Sequence, residues 1–147
     1  MIQEIKEIVE HALYKLNCYS DDALALVVRA LEGYGDGTPA IGFWQIEPAT
    51  LKDMIKNFLN YRKRYKDALK ELGMEFKGDD IEISVMSNMA VQAALCRLHY
   101  RRDKKPLPSW DDMEAQGLYW KRVYNTPKGR GTIKHFIEAN LKDDIIF

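Results

Sequence analysis

Residues 23–31 (ALALVVRAL) contain one polar side chain, Arg29, in nine positions. A helix built from them is apolar almost all round, so it belongs at the centre of the molecule with the rest of the chain wrapped around it. The flanks mark its ends. Ser20 offers an N-cap, and Asp21 and Asp22 put negative charge in the first turn. Gly33, Gly35 and Gly37 follow the helix and suit a helix exit and a tight loop.

The other segments read as amphipathic helices around this one. Ile2, Ile5, Ile8, Val9, Ala12, Leu13 and Leu16 repeat at the spacing of one helix face. Pro48 suits the first position of a third helix, with Leu51, Met54, Ile55, Phe58 and Leu59 as its apolar stripe. A charged helix is expected at residues 61–72, then a loop between Gly73 and Gly78. A long helix is predicted over residues 80–101, with Val85, Met86, Met89, Ala93, Cys96 and Tyr100 inward. Pro106 and Pro108 break the chain before helices at residues 110–124 and 132–141. The prediction is a single all-α domain over residues 1–147, with six or seven helices and at most a small β-hairpin near residues 33–41.

Charge and cysteine content limit the function classes. Lys plus Arg is 22 and Asp plus Glu is 22, whereas a whole-domain nucleic-acid binder normally carries a basic surplus. No apolar run reaches 18 residues, so no membrane insertion is expected. The first residues alternate Glu, Lys and Ile and do not read as a signal peptide. Cys18 and Cys96 lie far apart with no CxxC spacing and are read as small hydrophobes. His11, His99 and His135 have no ligand-like spacing, so no metal is implied.

The chemistry-bearing stretch is residues 29–50. Glu32 ends the apolar helix beside aromatic residues. Partial desolvation there raises a carboxyl pKa, and a carboxylic acid still protonated near neutrality can serve as a general acid. The bland alternative is a solvated helix-end residue.

Gly42-Phe43-Trp44-Gln45-Ile46-Glu47-Pro48-Ala49-Thr50 resembles the G-L-M-Q-I-x-P-x-T motif of soluble lytic transglycosylases. These are lysozyme-fold enzymes that act on peptidoglycan. Asn88, Ala90 and Ala93-Ala94-Leu95 resemble the family's N-I-x-x-G-x-x-Y-L helix. Val123-Tyr124-Asn125-Thr126 resembles its A-Y-N-A-G motif. The three blocks occur in the family's order, and the compact form looks most like phage-encoded domains. The resemblance implies that Glu32 is the catalytic acid, that Gln45 contacts substrate, and that Tyr124 and Asn125 lie close to the acid. It implies no organic cofactor. The implied partner is a peptidoglycan glycan strand, with other virion or lysis proteins as further candidates. The implied setting is a phage virion or the host cytoplasm, with the host cell wall as target, as for an endolysin.

The glycine loop is also similar to goose-type lysozymes, whose G-W-G-D loop aligns without a gap on Gly33-Tyr34-Gly35-Asp36. That resemblance makes Asp36 and Glu47 possible second acids that place a water. An inverting hydrolase needs such a pair, with carboxyls roughly 6.5–9.5 Å apart. A transglycosylase needs one carboxyl group, because the sugar's own 6-hydroxyl is the nucleophile. The bland readings are a loop-capping Asp36 and a helix-start Glu47. Gly33 stands where the transglycosylases usually have Ser, and the loop is shorter than theirs. Those two features favour a rival reading, a non-catalytic virion component that keeps the fold.

Trp44, inside the motif, is a candidate sugar platform, whereas Trp110 and Trp120 read as core. Residues 61–66 (YRKRYK) form a basic run with tyrosines. Stacking on bases is the functional alternative, and a solvated helix face is the preferred one, so no nucleic-acid partner is expected. Residues 128–131 (KGRG) read as an anion-binding loop or simply as a surface loop.

Overall fold

The computed structural model describes residues 2–33, 42–125 and 131–142. Among them are eight α-helices: α1 (Ile2–Lys15), α2 (Asp21–Gly33), α3 (Pro48–Asn57), α4 (Lys63–Leu72), α5 (Asp80–Met86), α6 (Met89–Arg101), α7 (Met113–Tyr119) and α8 (Ile133–Lys142). A 3-10 turn, Leu59–Tyr61, joins α3 to α4, and a π-helical segment, Trp120–Asn125, continues α7. The fold is all-α. The suggested hairpin near residues 33–41 falls almost wholly outside the described residues. No helix among the described residues is long and apolar enough to cross a membrane.

Helix α2 is the central element its sequence requires. Ala23, Leu24, Ala25, Leu26, Val27, Val28 and Ala30 are each at most 3% exposed. Ser20 caps it, accepting the Ala23 amide at 3.0 Å. Helix α1 lies against α2 and α6, and α8 lies against α2 and α7. Val9, Ala12, Leu13 and Leu16 form the buried face of α1 and its exit. Pro48 opens α3, and Leu51, Met54, Phe58 and Leu59 are buried. Cys18 and Cys96 are both free thiols.

The run predicted as one helix over residues 80–101 is two, and this adds the eighth helix. Asn88 interrupts it in an extended conformation, φ −138° and ψ 103°. Its side chain makes the break stable in two ways. Oδ1 accepts the Val91 amide at 3.0 Å and so caps α6. Nδ2 donates to the Leu72 carbonyl at 2.7 Å and satisfies an open carbonyl at the end of α4. Gly73 ends α4 in the left-handed region, φ 113°, and a Cβ there would lie 2.7 Å from that same Nδ2. The break also turns Met86 outward, to 60% exposure, against its expected inward position.

The helix predicted over residues 110–124 starts later and changes type. Asp112 caps α7 by accepting the Ala115 amide at 2.9 Å, which leaves Trp110 outside the helix at 37% exposure. At Trp120 the helix widens to the π form, a geometry often found at functional positions.

Candidate functional site

Two of the three motif segments meet helix α2 at Trp44. Its indole N–H donates to the Val27 carbonyl on α2 at 2.8 Å. Its own backbone carbonyl accepts the Tyr124 hydroxyl in a short hydrogen bond. Residues 27, 44 and 124 thus form one chain of contacts, although they are widely separated in sequence. Val27 lies five residues before Glu32 on the same helix.

Gly42 is what allows this segment to lie so close to α6. Its φ is +73°, and an added Cβ would collide with the Gln92 amide group. That amide is fixed on both sides. Gln92 Oε1 accepts the Phe43 amide at 2.9 Å. Its Nε2 donates to the Val85 carbonyl at 2.8 Å and to that of Met86 at 3.2 Å. Gln45 also takes a positive φ, +52°. Its Nε2 donates to the Gly42 carbonyl at 2.9 Å, which closes the turn.

Tyr124 packs against two aromatic rings. The His99 ring meets it edge-on at 5.3 Å, and the Tyr100 ring lies tilted at 5.3 Å. Burial pushes the Tyr124 hydroxyl well above the usual phenol range, and the Cys96 thiol beside it acts in the same direction. Tyr124 therefore remains a donor. Burial likewise raises the Cys96 thiol, so it is no thiolate nucleophile. Burial pushes His99 down to about 4, assisted by the Arg102 charge and opposed by Asp53 and the Tyr124 backbone. The imidazole facing Tyr124 is neutral near neutral pH. Asn125 accepts from Lys121 Nζ at 2.7 Å, and the same ammonium donates to the Gly131 carbonyl at 2.6 Å.

The expected site residues divide as follows. Gln45, Trp44 and Tyr124 are brought together, and Asn125 adjoins them in the π-helical segment. Glu32 lies in the last turn of α2, but its side chain is outside the described residues, as is Asp36. Glu47 is exposed at the N-cap of α3 and makes no side-chain capping bond. The expectation for Trp44 as a sugar platform is corrected. The side chain is fully buried, so no ring face is open to a sugar, and its polar edge anchors the segment to α2. Phe43, its neighbour, is the exposed aromatic of the motif at 58%.

Gln92 and His99 were not singled out as site residues. Gln92 had a visible signal, a lone amide inside the apolar run VQAALC, because a polar side chain in such a run needs a buried partner. His99 had none, since its environment depends on Tyr124, which arrives from another helix.

The basic run at residues 61–66 is largely engaged locally. Arg62 lies over the Phe58 ring at 4.0 Å, Lys63 pairs with Asp67 at 2.6 Å, and Lys66 donates to Asn60 at 3.0 Å. Tyr65 is buried, so of the two tyrosines only Tyr61 presents a free ring. Residues 128–130 of the other candidate anion loop lie outside the described residues.

No family model, curated protein or solved structure matches the chain.

Proposed function

We propose that the chain is a peptidoglycan-cleaving glycosidase of lysozyme-like fold, acting on the β-1,4 bond between N-acetylmuramic acid and N-acetylglucosamine. Glu32 protonates the glycosidic oxygen. It then accepts the proton of the muramic acid 6-hydroxyl as that oxygen attacks the anomeric carbon, closing a 1,6-anhydro ring. Gln45 and Asn125 contact substrate, and Tyr124 positions the segment facing Glu32. The observation that carries the reading is the chain of contacts from Tyr124 through Trp44 to Val27. It joins two of the motif blocks to the helix that ends at Glu32, which a shared cleft requires and a chance motif match does not. A single general acid suffices for this reaction. The goose-type alternative adds water placement by Asp36 or Glu47.

The test uses Glu32→Gln, which keeps side-chain size and removes the proton donor. With the fold checked by circular dichroism and thermal melting, clearing of purified cell walls should fall at least about 100-fold, the usual scale of general acid catalysis. A folded variant that clears walls at the parent rate overturns the assignment. A parent protein that clears none favours the non-catalytic virion reading. Mass spectrometry of the products separates the two chemistries: anhydro ends mark the transglycosylase, and reducing ends mark hydrolysis.

A further inference from the structure

We propose that Phe43 is the stacking platform for an N-acetylglucosamine ring of the glycan strand, with the Gln45 amide oxygen accepting from that sugar's acetamido N–H. The inference rests on the glycosidase reading and deepens it by assigning one sugar to named residues. Phe43 is 58% exposed, yet its backbone is held firmly. Its amide donates to the buried Gln92 amide at 2.9 Å. The preceding Gly42 carbonyl accepts the Gln45 amide at 3.3 Å and Gln45 Nε2 at 2.9 Å. The following Trp44 is tied to Val27 and Tyr124. An aromatic side chain has two rotatable bonds, so on a fixed turn it loses little freedom when a ligand covers it. Gln45 adds an unusual backbone, φ +52°, of a kind that collects at ligand sites.

Size and charge decide the occupant. Ile83 and Met86, one turn apart on α5, are also exposed. The Gln92 amide bridges the Met86 carbonyl to the Phe43 amide, so the backbones of Phe43 and Met86 lie one amide group apart. Three large side chains at this exposure offer roughly 300–400 Å². That is about half of the ~800 Å² that each partner buries in a stable protein complex, so a small ligand fits better than a protein. A β-linked glucosamine ring carries axial C–H bonds on one face, which pack on an aromatic ring, and an acetamido N–H at its edge, which needs an acceptor. Gln45 Nε2 is committed to the Gly42 carbonyl, which leaves Oε1 as the acceptor. Residues 42–46 (GFWQI) carry no charge, and the acidic Glu47 and Glu82 flank the two segments in sequence. A neutral N-acetylglucosamine ring is therefore favoured over muramic acid, whose lactyl carboxylate they repel.

The experiment measures binding by the full chain carrying Glu32→Gln, so that no cleavage intervenes. The probe is chitotetraose, the β-1,4 tetramer of N-acetylglucosamine, and cellotetraose is the control without acetamido groups. Calorimetry gives the affinity, and saturation-transfer NMR shows which sugar protons touch the protein. Saturable chitotetraose binding is expected, with cellotetraose much weaker and the axial ring protons most strongly saturated. Phe43→Ala should weaken chitotetraose about three- to tenfold, the scale of one aromatic contact, and abolish the axial-proton signal. Phe43→Trp should restore both. Each variant changes an exposed side chain and should leave Tm nearly unchanged. No saturable binding up to about 10 mM, equal binding of cellotetraose, or unchanged affinity in Phe43→Ala overturns the proposal. Self-association lost in Phe43→Ala, without glycan binding, assigns the patch to a second copy and also overturns it. Wall clearing with Phe43-independent binding removes the platform and leaves the glycosidase reading standing. Phe43-dependent binding by a chain whose parent clears no walls keeps the platform and removes the catalytic reading.

Discussion

Gly42→Ala tests the junction most directly, because two separate penalties apply to one methyl group. The first is conformational. At φ +73°, a residue with a Cβ loses about 1–2 kcal/mol. The second is steric. The new Cβ would lie 2.5 Å from Gln92 Oε1 and 2.8 Å from Nε2. Gln92 is 1% exposed and cannot retreat without breaking its bonds to Phe43, Val85 and Met86. Orphaning those groups costs about 2–3 kcal/mol more. The sum, about 3–5 kcal/mol, is a large part of a typical stability of about 5–15 kcal/mol. For a domain of this size it lowers Tm by roughly 10 °C. Guanidinium unfolding followed by tryptophan fluorescence measures it, with buried Trp44 and Trp120 as reporters. A double-mutant cycle separates the two penalties. In a Gln92→Ala background the clash is gone, and Gly42→Ala should cost only the conformational 1–2 kcal/mol. A cost below about 1 kcal/mol in the parent, or the same cost in both backgrounds, refutes the reasoning.

The remaining predictions concern the two sides of the same junction. His99 falls to about 4 when folded, from an ordinary 6.5. The unfolded chain therefore binds a proton that the folded chain does not across this window, and stability rises with pH there. Equivalently, up to about 3 kcal/mol is lost as pH falls from 6.5 towards 4. Denaturation midpoints against pH should show this slope for the parent and lose most of it in His99→Gln, whereas coincident slopes refute the assignment. Asp53 and Asp103 are held below the usual carboxylate range, the first by its bonds to Asn57 and Arg102 and the second by Arg122, so most of their contribution is lost below this window. Asn88→Ala removes the cap of α6 and orphans the Leu72 carbonyl, at a cost of about 1–3 kcal/mol. Asn88→Ser keeps the cap alone and should fall between, as read by chemical denaturation. Equal stability of all three proteins would mean that the break after α5 does not depend on this side chain.

The all-α class, the buried α2 and most helix positions were legible because each rests on a local pattern. Apolar spacing placed α1, Ser20 and the aspartates placed the start of α2, and Pro48 placed that of α3. Two errors share a cause. The break at Asn88 and the late start of α7 at Asp112 both occur inside apolar periodicity that continues across them. In each, a short polar side chain turns back to cap the next helix, and in the first it also reaches Leu72 from another element. Periodicity detects which face is inward. It does not detect where the backbone hydrogen bonds stop. Trp44 illustrates the same limit at the site. Its place in a motif suggested a stacking platform, but whether an aromatic ring is open or sealed depends on what covers it, here packing against α2 and Tyr124.

The polar groups sealed around α2 explain why its position is specific and not merely apolar. Leu, Val and Ala side chains tolerate sliding and rotation of a helix among its neighbours at modest cost. Hydrogen bonds do not, because a shift of one residue leaves buried donors and acceptors unpaired. Helix α2 is fixed by several along its length. Asp22 accepts the Trp110 amide at 2.8 Å. Arg29, at 5% exposure, donates to the Trp110 carbonyl and to Gln116 Oε1, both at 2.6 Å. The Arg29 carbonyl accepts from Asn140 on α8 at 3.2 Å. Val27 accepts from Trp44. The single polar residue in residues 23–31 is thus the hub that ties α2 to the α7 region and to α8. A general acid at the end of such a helix would hold its angle towards substrate without depending on the loop that follows, and proximity effects in catalysis are sensitive to displacements of about 1 Å. Arg29 is then a positioning residue for Glu32 under the proposed function, acting through the helix and not through the reacting atoms.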